Sequence, residues 1–117
     1  MASTGTEKTL FKRIIDGEIP CDKVYEDEDV LAFRDIDPKA PVHVLVIPKQ
    51  EVASIADVAD DVLAGKVMRA AARIARELGL EENGYRLVTN VGDHGGQSVF
   101  HWHVHLLGGR QLQWPPG

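Results

Sequence analysis

A run of alternating histidines, HWHVH at residues 101–105, constrains the fold of this chain more than any other feature. In a β-strand successive side chains point to opposite faces, so the three imidazoles are predicted to share one face, in steps of roughly 6–7 Å. The neighbouring residues Trp102, Val104 and Leu106 are apolar, which predicts that the opposite face is buried. A helix would scatter the same three rings around its axis, so the segment is predicted to be a strand.

Three interpretations of this histidine face compete. The rings could be packing residues, or a His-x-His pair could bind zinc with a third ligand from His43, His94 or His105. Alternatively, one ring acts as a nucleophile while the others fix its tautomer or move protons. Closely spaced imidazolium charges repel one another, so at least some of the rings are predicted to be neutral near pH 7. A neutral ring keeps the lone pair that a nucleophile needs.

The four residues Gly95-Gly96-Gln97-Ser98, just before the histidines, favour the nucleophilic interpretation. Glycines allow the backbone to curl so that successive N–H groups converge on an anion, and Gln97 and Ser98 add side-chain donors. Phosphoryl transfer requires mainly positioning and charge neutralisation. A donor-rich turn beside a row of imidazoles therefore predicts that chemistry.

Composition limits the classes of function. The 117 residues fit one domain, and a net charge of −5 argues against a protein that binds the nucleic-acid backbone. A single cysteine, Cys21, excludes an internal disulfide and a zinc site made of four cysteines. The N-terminus lacks the pattern of a secretory signal, and Val42–Ile47, the most apolar run, is too short to span a membrane. We therefore expect a cytoplasmic protein without nucleic-acid or membrane partners.

Periodicity and turn residues predict an α+β domain with an antiparallel five-stranded sheet and two helices. Gly17 and Gly79 are predicted to end the two helices, and a packing contact could explain Gly65 within the second. The apolar stripe of this second helix is predicted to include Val58 and Val62. A flexible N-terminus is expected over 1–8 and a single domain over 9–117. The predicted elements are a short helix from Leu10, strands at 23–26, 30–34 and 42–48, a helix at 57–78, and strands at 85–91 and 99–107.

Longer segments of the chain resemble one known family. HWHVHLL at 101–107 has the form His-φ-His-φ-His-φ-φ, the signature of the histidine triad (HIT) superfamily. Residues 10–33, 35–49 and 95–117, which end in GGRQLQWPPG, look like the Hint branch, the histidine triad nucleotide-binding proteins. His105 matches the hydrolases of the superfamily, because its nucleotidyl transferases carry Gln at that position.

The resemblance implies a homodimer whose sheets join across a two-fold axis, and a purine nucleoside monophosphate bound at the triad. It also implies hydrolysis of P–N bonds in nucleoside phosphoramidates and of aminoacyl adenylates, with no metal and no cofactor. His103 would be the nucleophile, and His101, His105 and His43 would orient it or relay protons. Residues implied to face the phosphate are Asn90, Gly96, Gln97, Ser98, Val104 and His105. Asp35 would bind the ribose hydroxyls, Ile36 would lie next to the base, and Leu10, Phe11, Ile14 and Ile19 would line the purine slot.

Three positions depart from the family pattern. Arg34 stands where relatives often carry a neutral or imidazole side chain, Trp102 is bulkier than the usual aliphatic residue, and His94 is an extra histidine. We interpret Trp102 as a packing change and His94 as a surface residue, whereas Arg34 is either a substrate contact or solvated. Two other classes of function stay open: a nucleotide-dependent binding module with little turnover, and a zinc-binding protein.

Overall fold

The computed structural model describes residues 8–117 and confirms the predicted α+β class. The five strands form one antiparallel sheet in the order β1-β2-β3-β5-β4. The N-terminal segment predicted to be flexible lies outside the described residues, apart from Lys8. The elements are α1 (Leu10–Ile15), β1 (Lys23–Glu26), β2 (Val30–Arg34), β3 (Val42–Pro48), a 3-10 turn (Ile55–Asp57), α2 (Asp61–Glu77), β4 (Tyr85–Val88) and β5 (Val104–Gly108).

The second helix begins later than its apolar periodicity suggested. Asp60 caps it by accepting a hydrogen bond from the backbone of Val62, and the preceding residues form the separate 3-10 turn. Val58 still packs against the core from outside the helix, but the prediction for Val62 is wrong because its side chain is 65 % exposed. Gly79, with φ +76°, follows the helix end as predicted. No atom lies within 4 Å of a Cβ built on Gly65, so no packing contact explains that glycine.

The last two strands are shorter than predicted. β4 ends at Val88 instead of 91, and β5 begins at Val104 instead of 99. The cause is that residues before β5 bond outside the sheet: the backbone N–H of Trp102 donates to the carbonyl of Val52, at 2.7 Å. Residues 89–103 therefore lie outside the pairing of β4 with β5, and the bond from Trp102 connects them to the segment that follows β3.

The sheet separates two apolar clusters. On one face α2 packs against Val44, Val46, Trp102 and other strand residues. On the opposite face Phe11 of α1 packs against Phe33, with ring centroids 5.6 Å apart. The histidines lie on this second face, so α1 covers one side of the candidate site. Among residues 8–117 no helix is long and apolar enough to cross a membrane.

Candidate active site

The three triad rings share one face of the sheet, as the alternation predicted. Trp102, Val104 and Leu106 are buried in the cluster on the helix face. On the other side, the ring centroids of His103 and His105 are 5.0 Å apart. The edge of Phe11 contacts this row from α1, with centroids 5.0 Å from His103 and 6.3 Å from His101. The alternation thus persists through residues 101–103, although they precede the regular strand.

The hydrogen bonds of His103 leave one nitrogen free to attack. Its Nδ1 lies 2.7 Å from the carbonyl oxygen of His101. A carbonyl can only accept, so Nδ1 carries the proton and the lone pair of the neutral ring is on Nε2. The residue is only 5 % exposed, so the surrounding protein holds the orientation of the ring. The geometry fits a nucleophile whose tautomer is set by the backbone next to it.

A single backbone donor sets the tautomers of His43 and His105. The N–H of Lys39 donates to His43 Nδ1 at 3.0 Å, so the proton of the neutral ring is on Nε2. This Nε2 lies 2.9 Å from His105 Nδ1, which therefore accepts. The remaining proton of His105 is on its Nε2. His43 and Lys39 thus turn His105 into a hydrogen-bond donor.

His101 is the most buried of the four histidines, at 1 % exposure. Its Nε2 donates to the carbonyl of Pro48 at 2.8 Å. Its Nδ1 is buried and has no hydrogen-bond partner among the described residues. The ring anchors the start of the histidine segment to the end of β3, and its one N–H group is fully used there.

Burial lowers the pKa of all four imidazoles from its ordinary value. For His43, His101 and His103 the desolvation of the charged form is the main cause. The pKa of His105 falls to about 4, first through burial and then through the neighbouring His103 and His43. All four rings are therefore neutral at pH 7, as expected for a site that needs an imidazole lone pair.

One group of side chains could in principle hold a metal ion. Ligand atoms of Asp35, His43 and His105 lie within 4.8 Å of one another. A histidine that binds a metal normally donates its other N–H to an acceptor. His43 has the opposite polarity, because the Lys39 N–H points at its second nitrogen. A metal bound to His43 Nε2 would require the proton of the neutral ring to be on Nδ1. That N–H would then face the backbone N–H of Lys39, donor against donor, which disfavours the zinc interpretation at this cluster.

The loop before the histidines is a tight turn fixed by internal hydrogen bonds. The backbone N–H of Gly96 donates to Asp93 and that of Gln97 to Gly92, and the Asn90 side chain donates to the carbonyl of Gly95 at 2.6 Å. Gly96 has φ +76°, which favours glycine. Gly96 and Ser98 are exposed at the surface of this turn. Because the Gly96 N–H is already bound within the turn, Ser98 is the residue of the two that presents a donor to an anion.

The Gln97 side chain is 8 % exposed, and its amide ties the loop to the segment after β3. Its Nε2 donates to the carbonyls of Ala53 and Val99, at 2.6 and 3.1 Å, and its Oε1 accepts from the Gly92 N–H at 3.0 Å. Both amide hydrogens are thus used within the protein. The structure places this side chain behind the turn, where it shapes the loop.

The segment after β2 brings a carboxylate to the histidines. One oxygen of Asp35 accepts the backbone N–H of Asp37 at 2.8 Å, and the other lies 3.5 Å from His43 Nε2. Ile36 is 99 % exposed. Arg34 pairs across the sheet with Val44, which faces α2, and its guanidinium lies 3.7 Å from Asp22. Arg34 is therefore on the face opposite the histidines, which favours the solvated interpretation.

Most of the residues predicted to line an apolar slot lie in α1 and the segment that follows it. Phe11 is buried, Leu10 is 48 % exposed, and Ile14 and Ile19 are half-buried. His94 is exposed, as predicted. Sequence reasoning missed the contribution of Lys39, Pro48 and Val52, which act through backbone groups that leave no signal in the identity of a residue. It also missed Thr89, whose hydroxyl donates to the carbonyl of His103 at 2.8 Å.

Comparison with known proteins gives concordant results. A model of the HIT domain family matches residues 16–112. The purine nucleoside phosphoramidase of Escherichia coli is 49 % identical over 108 residues, which cover 91 % of each chain. The crystal structure of a HIT family hydrolase from Legionella pneumophila has a TM-score of 0.91 at 53 % identity and covers 94 % of this chain and 100 % of that one. A histidine triad nucleotide-binding protein from Candida albicans has a TM-score of 0.81 at 32 % identity and covers 92 % and 83 %.

Proposed function

This chain belongs to the HIT domain family, and from that premise we propose that it hydrolyses the P–N bond of purine nucleoside phosphoramidates. Aminoacyl adenylates, which present the same α-phosphorus, are the second substrate class. The observation that carries the proposal is the free Nε2 of His103, with Nδ1 held 2.7 Å from the carbonyl of His101. No metal or cofactor takes part in the proposed reaction.

The first step forms a nucleotidyl-histidine. The Nε2 lone pair of His103 attacks the α-phosphorus opposite the bridging nitrogen. The bridging nitrogen takes a proton from solvent and the electron pair of the breaking P–N bond, and it leaves as a neutral amine. Water then attacks the phosphorus, the bond between phosphorus and His103 Nε2 breaks, and its electron pair returns to the ring, which is neutral again. The nucleoside monophosphate is released, and the proton lost by the water goes to solvent, which balances the one taken up in the first step.

His105 is the histidine best placed to donate a hydrogen bond to the reacting phosphoryl group. The N–H of His101 is bound to Pro48, that of His43 to His105, and that of His103 to His101. Among the four rings, only the Nε2–H of His105 has no acceptor within residues 8–117. This supports His105 as the donor that stabilises charge as the amine leaves.

The remaining binding residues are proposed from the family resemblance and from where they lie. The backbone of Gly96 and Val104, together with Ser98 and Asn90, would bind the phosphate, while Gln97 would hold the loop in shape. The free oxygen of Asp35 would accept ribose hydroxyls, and the slot of Leu10, Phe11, Ile14, Ile19 and Ile36 would hold the purine. A single domain over 9–117 and a homodimer that joins two sheets complete the proposal.

Trapping the covalent intermediate tests this function. The protein is mixed with adenosine 5′-phosphoramidate, quenched rapidly in alkali and digested. Mass spectrometry should find an adenylyl group on the peptide that contains residues 99–107, and none in a His103→Ala variant. AMP release without this adduct would contradict the covalent route. Tight AMP binding with neither adduct nor turnover would point instead to a nucleotide-dependent binding module.

The pH dependence follows from the lowered pKa of His103. The attacking ring must be neutral, and burial holds its pKa below the ordinary 6.5. We expect kcat/KM for the phosphoramidate to stay level as the pH falls from 8 to about 6.5, and to decline only below that range. An acid limb centred at or above pH 7 would contradict a buried neutral nucleophile.

Acid unfolding must be measured beside the rate, because the same burial couples folding to protonation. The pKa of His105 is about 4 in the folded protein against an ordinary 6.5. Its neutral form therefore contributes stability that is complete above pH 6.5 and is lost as the pH falls towards 4. Circular dichroism at each pH separates loss of folded protein from protonation of His103.

A further inference from the structure

We propose that Thr89 and Trp102 are positioning residues that hold the backbone of the His103 nucleophile, an inference that rests on the proposed function. The indole Nε1–H of Trp102 donates to the hydroxyl oxygen of Thr89 at 3.0 Å. That hydroxyl in turn donates to the carbonyl oxygen of His103 at 2.8 Å. The two side chains form a directed chain of hydrogen bonds that ends on the nucleophile's own peptide unit.

These hydrogen bonds from Trp102 through Thr89 to His103 lie where the pairing of β4 with β5 stops. β4 ends at Val88 and β5 begins at Val104, and the last pair of their ladder is Val88 with His105. One residue further along, the hydroxyl of Thr89 supplies the donor that a ladder N–H would otherwise provide to His103. An unpaired carbonyl at this place would leave the histidine segment free to shift.

A second hydrogen bond holds the same segment from the other side. The N–H of Trp102 donates to the carbonyl of Val52 at 2.7 Å. The carbonyl of this same peptide unit belongs to His101 and accepts Nδ1–H of His103, also at 2.7 Å. Trp102 is therefore fixed through both its backbone and its indole, and it is 1 % exposed. We interpreted Trp102 above as a packing change, but its indole also supplies an N–H donor that an aliphatic residue lacks.

The functional consequence is alignment of the attacking nitrogen. Two hydrogen bonds hold His103: its Nδ1–H donates to the carbonyl of His101, and its own carbonyl accepts from Thr89. The first acceptor lies in the peptide unit that joins His101 to Trp102, and the Thr89 hydroxyl is held by the indole of Trp102. Attack on phosphorus needs in-line geometry, and displacement by about 1 Å can reduce a rate roughly 100-fold. Of the proposed AMP contacts only that of the Val104 backbone shares this peptide unit, and those to the base, the ribose and the loop come from other groups. Loosening this chain should therefore lower kcat far more than it changes KM.

Four variants test the proposal: Thr89→Val, Thr89→Ser, Trp102→Phe, and the double variant that combines Thr89→Val with Trp102→Phe. Thr89 is exposed, so the near-isosteric valine should fold normally. We expect Thr89→Val to lower kcat about ten- to a hundredfold while KM and the Kd for AMP change less than about twofold. Thr89→Ser keeps the hydroxyl and should restore most of kcat. Trp102→Phe should have a smaller effect, and the double variant should be no slower than Thr89→Val, since both changes break one chain.

A readout independent of turnover separates this proposal from the proposed function. The imidazole ¹⁵N spectrum of His103 should show one tautomer, with the proton on Nδ1, in the wild type and in Thr89→Ser, and a mixture in Thr89→Val. Unchanged spectra and kcat in Thr89→Val, with only a lower Tm, would assign the pair a structural role and overturn the proposal. A wild type that turns over no phosphoramidate would refute the proposed function, while the spectra would still decide whether the pair orients His103.

Discussion

Replacing His103 with alanine is expected to lower kcat/KM for adenosine 5′-phosphoramidate by about 10⁴-fold or more. The variant loses the lone pair on His103 Nε2, which the bond from Nδ1 to the carbonyl of His101 leaves free. Direct attack by water must then occur without covalent catalysis. The Kd for AMP should change by less than about tenfold, because the proposed contacts to base, ribose and phosphate come from other residues. Steady-state kinetics and isothermal titration calorimetry measure the two quantities.

His94→Ala is the matched control for this experiment. It removes an imidazole from the adjoining loop, where the ring is exposed. Its kcat/KM should stay close to that of the wild type. If His103→Ala kept most of the activity while a variant of His101 or His105 lost it, the nucleophile would be misassigned. Equal losses in His94→Ala and His103→Ala would show that the loop is sensitive to any change.

The parts of the fold that could be predicted are those in which side-chain pattern and hydrogen bonding agree. β1, β2 and β3 have the predicted bounds: β2 and β3 form a regular antiparallel ladder, and β1 pairs with β2 despite a shift of register between Lys23 and Tyr25. The alternation from His101 to Leu106 predicted the two faces of the sheet because burial on the helix face is strong. The same alternation overestimated the length of β5. Side chains alternate between two faces wherever the backbone is extended, whether or not that backbone pairs with a neighbouring strand.

The errors occur where a backbone or side-chain hydrogen bond replaced the expected partner. The carbonyl of Val52 draws the backbone N–H of Trp102 out of the sheet, and the Asp60 cap starts α2 later than its apolar stripe suggests. The location of Gln97 behind the loop depends on the carbonyl of Ala53, distant in sequence. The carbonyls of Val52 and Ala53 are backbone atoms, which every residue possesses, so no pattern of side chains could identify them. The Asp60 cap is a side-chain acceptor of the type that often begins a helix, so this boundary was available in the sequence.

Gly95→Ala is expected to disable the candidate phosphate loop without unfolding the domain. A Cβ at this position would lie 2.4 Å from the carbonyl oxygen and 2.8 Å from the backbone nitrogen of Val91. These are backbone atoms within the same turn, so the clash cannot be relieved by rotating a side chain. The turn must open, which displaces Gly96 and the donor at Ser98 and breaks the bond from Asn90 to the carbonyl of residue 95. We expect kcat/KM to fall about 100-fold and AMP affinity to fall about tenfold.

Gly65→Ala controls for the substitution itself. Gly65 lies exposed within α2 with no neighbour near its Cβ position, so alanine there should raise the free energy of unfolding by about 1 kcal/mol and leave kinetics unchanged. Thermal unfolding of both variants shows whether Gly95→Ala keeps the fold. We expect that it does, because residues 92–98 belong to neither apolar cluster. A Gly95→Ala protein with wild-type Kd for AMP and wild-type kcat/KM would mean that the closed turn does not present the donors. The phosphate would then have to bind through β5 and His105 alone.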